Sequence, residues 1–326
     1  MKKTVKVGLI GCGFMGTMHA NCYNALKNVK VTAVADLRED KAQALAALSK
    51  AKIYSDGKDL IENAEVDIID ICLPTYLHTA YALLAMEKAP YVFIEKPVAF
   101  DKKECDLLEK KAKETGCNVQ VGQVIRFWDE YVKLKEIIDS KIYGEVINAS
   151  FHRISPLPTW GWENWLLDVN KSGGACQDLH IHDVDYVISV FGLPKKAKTL
   201  RNVTGDKNSY GSTHMYYDNF VVTTESTWDL PGSFPFNAGF RVKFEKAAVE
   251  LAGGKLNVFT DEGVSEAKID KIDLGVDGGG NISDLGGYYN ELLYFTDKAR
   301  EGSKIERATL SDGVTSLKFL LKQIKK

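Results

Sequence analysis

Residues 5–16 read VKVGLIGCGFMG, and the interpretation of this stretch decides the fold. The apolar run Val5–Ile10 predicts a short strand, and Gly11, Gly13 and Gly16 follow it in GxGxxG spacing. Each glycine has its own task in that spacing: a tight turn, close approach of backbone to a diphosphate, and close packing of a helix on the strand. The free amides and dipole at the start of the following helix then favour an anion. Alone the motif is weak, because glycine-rich turns are common. Here it sits at the first strand, and a second predicted strand, Val29–Asp36, ends in a carboxylate placed to accept hydrogen bonds from an adenosine ribose. Gly11, Gly13, Phe14, Met15, Gly16 and Asp36 are therefore candidate dinucleotide contacts. Asp36 would repel a 2′-phosphate, which favours NAD over NADP. Arg38 weakens that preference, since its guanidinium can neutralise Asp36, pair with a phosphate or stack on adenine, unless it merely opens a solvated helix.

Working outward, short apolar strands are predicted at Ile68–Leu73, Tyr91–Glu95 and Asn118–Val121, with helices at Ala42–Ser49, Thr79–Lys88 and Lys102–Thr115 between them. Strands this apolar are covered on both faces, so the alternation predicts βαβ units and a parallel sheet. CLPTYLH (72–78) and EKP (95–97) then lie at carboxyl-end edges, where open α/β sheets bind ligands. That makes Leu73, Pro74, Thr75, His78, Glu95 and Lys96 candidates, although Lys96 can also be a strand's exit to solvent. After Gly122 the pattern changes to a helix at Glu130–Asp139, a strand at Val146–His152, a Trp-rich loop and a run of alternating strands from Ala197 to about Asp270. A glycine-rich loop at 275–281 precedes a last helical region, Tyr288–Lys326, broken near Gly302. The expected architecture is α/β: a doubly wound parallel sheet over 1–122, then an α+β domain with a large, mostly antiparallel open sheet over 123–326.

Composition narrows the classes. Lys plus Arg total 42 against Asp plus Glu 44, for a net charge of −2, and no run of like charge attracts nucleic acid or an anionic membrane. No apolar run reaches the ~18 residues of a membrane span, and Lys6 interrupts the N-terminal apolar run too early for a signal peptide. The six cysteines are scattered without CxxC pairs, which predicts free thiols and a cytoplasmic setting.

SGGACQDLHIHDVD (172–185) holds two histidines and three aspartates in a chain with six histidines. Paired glycines followed by apolar continuation suggest a loop entering a helix, which brings Asp178 and His182 onto one face with Asp185 a turn further on, and sends His180 elsewhere. As a strand it would instead present an HxH pair for a metal, but the spacing of Leu179, Val184, Val187, Ile188 and Phe191 favours helix, so no metal is expected. A structural role for these groups, as caps and satisfied buried hydrogen bonds, stays open.

GCGFMG, Asp36, LPTYLH (73–78), EKP (95–97), VGQVIRF (121–127), SGGACQDLHIHDVD and YYNELLYF, in this order along most of the chain, resemble the Gfo/Idh/MocA oxidoreductases. The resemblance implies an NAD(P)-binding domain and a second domain whose open sheet forms the contact of a homodimer or homotetramer. It implies that Lys96, Asp178 and His182 are catalytic and contact substrate, and that Thr75, His78, Glu95 and Gln123 lie beside the nicotinamide. The expected activity is oxidation of a secondary hydroxyl of a sugar, cyclitol or derivative. The alternative is an NAD-dependent glycosidase or lyase that recycles its cofactor. An imidazole, titrating near 6.5, can take the hydroxyl proton, and a lysine ammonium can polarise the oxygen. In PLPTWGWENW, Trp162 is a candidate to stack on a sugar face, with Trp160 and Trp165 as alternatives for core or interface. Arg126 either binds an acidic substrate group or pairs with an aspartate of the second domain. His180 stands where many members carry glycine, and either tunes substrate choice or serves structure.

Overall fold

The computed structural model describes residues 4–204, 207–269 and 285–324, so the glycine-rich loop at 275–281 lies outside the described residues. The first compact unit takes residues up to Val124 and the segment ending at Thr315. Its elements are β1 (Val5–Ile10), α1 (Phe14–Ala25), β2 (Val29–Ala35), α2 (Glu39–Ser49), β3 (Lys52–Tyr54), α3 (Gly57–Asn63), β4 (Ile68–Ile71), α4 (Thr75–Lys88), β5 (Tyr91–Ile94), α5 (Lys102–Thr115) and β6 (Asn118–Val121). The six strands are all parallel in the order β3-β2-β1-β4-β5-β6. That is the order of a doubly wound dinucleotide-binding sheet, whose ligand crevice lies beyond the strand carboxyl ends where the order reverses, between β1 and β4. The predicted strands and helices form. Sequence reading missed β3 and α3, because β3 is a three-residue edge strand with Lys52 and Ile53 exposed.

In the second unit, residues 125–271 and 316–326, the elements are α6 (Asp129–Ser140), β7 (Val146–Pro156), α7 (Val169–Ser172), α8 (Ala175–Asp178), α9 (His180–Phe191), β8 (Lys196–Thr204), β9 (Lys207–Tyr216), β10 (Val221–Leu230), β11 (Asn237–Phe244), β12 (Ala248–Ala252), β13 (Lys255–Thr260) and β14 (Gly263–Glu266). They make an eight-stranded sheet in the order β14-β13-β12-β11-β7-β10-β9-β8, antiparallel throughout except for the parallel pair β7–β10. Alternation along β7 buries Ala149, Phe151 and Arg153 on one face. There Phe151 and Phe240 pack with Tyr131 of α6 and Tyr186 of α9, with ring centroids 4.9–5.7 Å apart. This aromatic layer seats α9 on the sheet.

Two helices close the chain, α10 (Gly286–Glu301) and α11 (Leu310–Ile324). The expected break at 122/123 lies beside the passage from the first unit to the second after Val124, and α10 returns to the first unit. Its Phe295 packs edge-on against Tyr91 and Phe93 of β5 at 6.2 and 5.4 Å. A return across so much sequence is set by side-chain packing, which no local pattern announces.

Candidate functional site

The turn after β1 is built as its glycines dictate. Gly11 has φ +95°, and a Cβ there would lie 2.5 Å from the Cys72 carbonyl oxygen. A Cβ on Gly16 would lie 1.9 Å from the Gly11 carbonyl oxygen, so only glycine lets α1 sit this close to the strand. Gly13 differs: a Cβ there would meet only the Arg38 Nη2, at 3.4 Å. The protein itself does not require glycine at 13, which fits a position kept bare for a ligand. Gly13 is also the N-cap of α1, with no side-chain cap and no acidic residue in the first turn, so the leading amides remain for an anion.

At the end of β2, Asp36 accepts the Cys12 and Arg38 amides, both at 2.8 Å, and the Arg38 Nε and Nη2 at 2.9 and 2.8 Å. Burial works against its charge, but these donors prevail and hold the carboxyl below its usual range. Arg38 therefore neutralises Asp36.

The carboxyl ends of β4, β5 and β6 form the neighbouring edge. Thr75, the first residue of α4, and Gln123, just after β6, are fully buried. The Thr75 hydroxyl and both amide atoms of Gln123 have no hydrogen-bond partner among the described residues. Buried polar atoms are nearly always paired, so these orphans suit the polar groups of a bound cofactor. Glu95 and Lys96 follow β5, and the Glu95 Oε2 accepts the Lys96 amide at 3.1 Å. His78, expected beside the nicotinamide, packs between two loops. It is buried, with Nδ1 2.8 Å from the Pro97 carbonyl oxygen and Nε2 2.7 Å from that of Leu73. Burial pulls its pKa down against the two carbonyls, and the neutral ring donates its single N–H to one of them at a time, so that His78 braces the loops that carry Leu73 and Lys96.

Behind this edge lies a network that sequence reading missed. His19 of α1 is fully buried, with Nδ1 2.8 Å from the Asp70 Oδ2 and Nε2 3.0 Å from the Glu95 Oε1. Tyr23 donates to the same Asp70 oxygen at 2.9 Å, and the Cys72 Sγ lies 3.3 Å from the His19 Nδ1. His19, Asp70 and Cys72 bring metal-ligand atom types within 4.8 Å, a closeness their mutual hydrogen bonds account for. The available signal was Asp70 itself, a charge inside the apolar run IIDIC that requires a buried partner.

In the second unit, Gly173 and Gly174 both take positive φ, +76° and +72°, and launch α8. α8 and α9 meet at Leu179, so residues 172–185 are a loop entering helix, with no strand-like HxH pair. Three of the five titratable groups serve the interior. His180 has Nδ1 2.9 Å from the Ser226 hydroxyl and Nε2 2.8 Å from that of Thr213, and burial drives its pKa down to about 3. Of the two roles expected for His180, its buried hydrogen bonds support the structural one. Asp183 pairs with Arg153 at 3.3 Å. Asp185 takes Arg126 bidentately at 2.7 and 2.8 Å and also accepts from Ser316 at 2.8 Å. Arg126 thus has the aspartate partner that was one of its two expected roles. Asp178 and His182 sit at the margin of burial, 7% and 9% exposed. In the Trp-rich loop, Trp165 packs against the cluster of Leu166, Ala175 and Trp228, Trp160 is exposed and Trp162 is half-buried. Glu163 and Asn164 beside Trp162 hold left-handed backbone at φ 50° and 53°, a strained conformation for residues with a Cβ.

All six cysteines are free, and no described helix is long and apolar enough to cross a membrane. The family described as "Oxidoreductase family, NAD-binding Rossmann fold" matches residues 5–123, and "GFO/IDH/MocA C-terminal domain" matches residues 131–250. An inositol 2-dehydrogenase of Salmonella typhimurium is 32% identical over 190 residues, covering 56% of this chain and 53% of that protein. The chain spans about half the length of the curated relatives it matches. An oxidoreductase from Agrobacterium radiobacter, crystallised with NAD+, L-tartaric acid and magnesium, shares the fold at TM-score 0.84 and 15% identity, covering 99% of this chain and 96% of that one. A levoglucosan dehydrogenase in complex with NADH and levoglucosan does so at TM-score 0.84 and 18% identity, covering 98% and 97%. With the bare Gly13 turn at the head of a 3-2-1-4-5-6 sheet, and both regions matched in order, this chain belongs to the GFO/IDH/MocA oxidoreductase family and binds NAD.

Proposed function

We propose that the chain is an NAD-dependent dehydrogenase that exchanges a hydride with a secondary hydroxyl of a sugar, cyclitol or related polyol. The observation that carries this is the carboxyl edge of the first sheet, where Thr75 and Gln123 bury unpartnered polar atoms beside the strand end that presents Lys96. The relatives supply the substrate class, since they include an inositol dehydrogenase and a levoglucosan dehydrogenase.

Gly11, Gly13, Phe14, Met15 and Gly16 would hold the diphosphate, Asp36 with Arg38 the adenosine ribose, and Leu73, Pro74, Thr75, Glu95, Lys96 and Gln123 the nicotinamide end, with His78 bracing the last group from behind. Because Arg38 offsets the Asp36 charge, NADP is admitted as a second cofactor. Bound NAD supplies the hydride acceptor. The residues must then remove the hydroxyl proton and stabilise the developing alkoxide. His182 takes the proton, Asp178 orients the His182 ring or accepts from a neighbouring hydroxyl, and the Lys96 ammonium polarises the oxygen. Trp162 offers a stacking surface for a sugar ring. Assembly through the open sheet of the second unit, as a dimer or tetramer, and a cytoplasmic setting complete the proposal, the latter supported by six free thiols.

The test is Lys96→Ala, assayed with NAD on a panel of inositols, sugars and anhydrosugars. Turnover should fall by about 10²–10⁴-fold while NADH still binds. Turnover retained in that variant would remove Lys96 from the chemistry.

A further inference from the structure

We infer that His19 is a positioning residue of the cofactor half: held by Asp70 at one ring nitrogen and by Glu95 at the other, it fixes the carboxylate that grips the Lys96 amide and so sets where Lys96 leaves the sheet. The inference rests on the assignment of Lys96 to the reacting hydroxyl.

Four elements converge on His19. Its own helix contributes Tyr23 and Cys22; β4 and its exit contribute Asp70 and Cys72; the end of β5 contributes Glu95 and Lys96; and α10 contributes Glu291. The ring is wedged edge-on against Phe93, with centroids 5.3 Å apart, so it has little freedom to turn. A Cβ on Gly122 would lie 3.0 Å from the Glu95 Oε1, so β6 is followed by glycine where the carboxylate needs room. Glu95 is thus confined between His19 and Gly122, and its second oxygen holds the Lys96 amide.

The charges agree with the geometry. Burial opposes an imidazolium, but Cys72 and Asp70 against Nδ1 raise the His19 pKa above its ordinary value, with Asp70 carrying the charge because burial keeps the Cys72 thiol protonated. Glu291 is pushed the opposite way in charge: burial, and then Glu95, raise its carboxyl pKa well above the usual range despite His19 and Arg307, so it stays neutral. That leaves the His19 ring between Asp70 at Nδ1 and Glu95 at Nε2. The Nε2 contact to Glu95 is close but off the hydrogen-bond axis, so it holds mainly by charge. Apolar packing would stabilise such a core at least as well as buried ions. What the ions add is a defined place for Glu95.

An asparagine side chain places its amide nitrogen near the histidine Nδ1 position, and a glutamine near Nε2. His19→Asn therefore keeps the Asp70 contact and loses Glu95, whereas His19→Gln restores a donor toward Glu95. With NAD and myo-inositol, or levoglucosan where the panel favours it, kcat should fall about tenfold or more in His19→Asn with KM and NADH affinity little changed, and His19→Gln, which returns a donor toward Glu95 without the charge, should recover part of it. In the intact protein labelled with 15N-histidine, the His19 ring should hold its second proton to higher pH than an ordinary histidine. Equal kcat in the two variants, or a His19 ring that loses its proton no later than an ordinary histidine, would overturn the inference. If Lys96→Ala is inactive on the same substrate, that failure is His19's alone; if Lys96→Ala turns over normally, the function assignment fails first.

Discussion

At the scale of single residues, the nucleotide turn separates two glycines that look alike in sequence. Gly16→Ala forces a Cβ into the Gly11 carbonyl oxygen and should cost about 1–3 kcal/mol, measured by thermal or denaturant unfolding. Gly13→Ala meets nothing closer than Arg38 and should leave stability within about 0.5 kcal/mol while weakening NADH binding about tenfold or more, measured by fluorescence titration. Equal affinity in Gly13→Ala and wild type would mean that the bare position has no cofactor role. His180 makes a prediction in pH. Its folded-state pKa, about 3, lies below the unfolded value of about 6.5, so the unfolded chain binds the proton between those limits. The stability from its neutral, hydrogen-bonded ring is complete above about pH 6.5 and is lost as pH falls, at up to about 1.4 kcal/mol per pH unit. Replacing His180 with Asn should flatten unfolding stability against pH between 6 and 4, roughly the upper part of that window. An unchanged slope would show that His180 does not carry it.

Elements explain what was legible beforehand and what was not. β1, the glycine turn and α1 declare themselves because only glycine satisfies that geometry, and β2, β4, β5 and β6 because strands covered on both faces are uniformly apolar. The edge strand β3 gave no such signal. Across residues 178–185 the helical period predicted Asp178, His182 and Asp185 on one side, but it could not show that Arg126 and Ser316 would reach Asp185 or Arg153 would reach Asp183, since those partners arrive from distant sequence. The neighbours of His78 were hidden for a related reason, since the carbonyls beside its ring belong to two separate loops. The Arg126–Asp185 pair, with side chains 9% and 0% exposed, should show what burial does to an ion pair. Asp185→Ala strands the guanidinium and should cost about 3–5 kcal/mol. Lys135→Ala, which breaks the exposed pair with Asp139, should cost under about 1 kcal/mol. Denaturant titration compares the two, and similar small losses would mean Arg126 finds solvent or another partner.

For the whole molecule, the first unit is a nucleotide-binding sheet completed by a returning C-terminal segment, and the second carries α9 on an open sheet. Cofactor binding to the native state alone should raise stability by about 2.7 kcal/mol at one hundred times Kd. That rise should be seen in thermal unfolding with NAD, and it should be reduced in Gly13→Ala at the same NAD concentration. The central claim is net oxidation of a polyol hydroxyl by this chain with NAD. It is tested most directly by following the near-ultraviolet absorbance of reduced cofactor with purified protein, NAD, and inositols, sugars, anhydrosugars and glycosides, identifying the products alongside. The account predicts NADH formed in step with a ketone from one cyclic polyol or sugar, and none with Lys96→Ala. Glycoside cleavage or dehydration with no net NADH would contradict it.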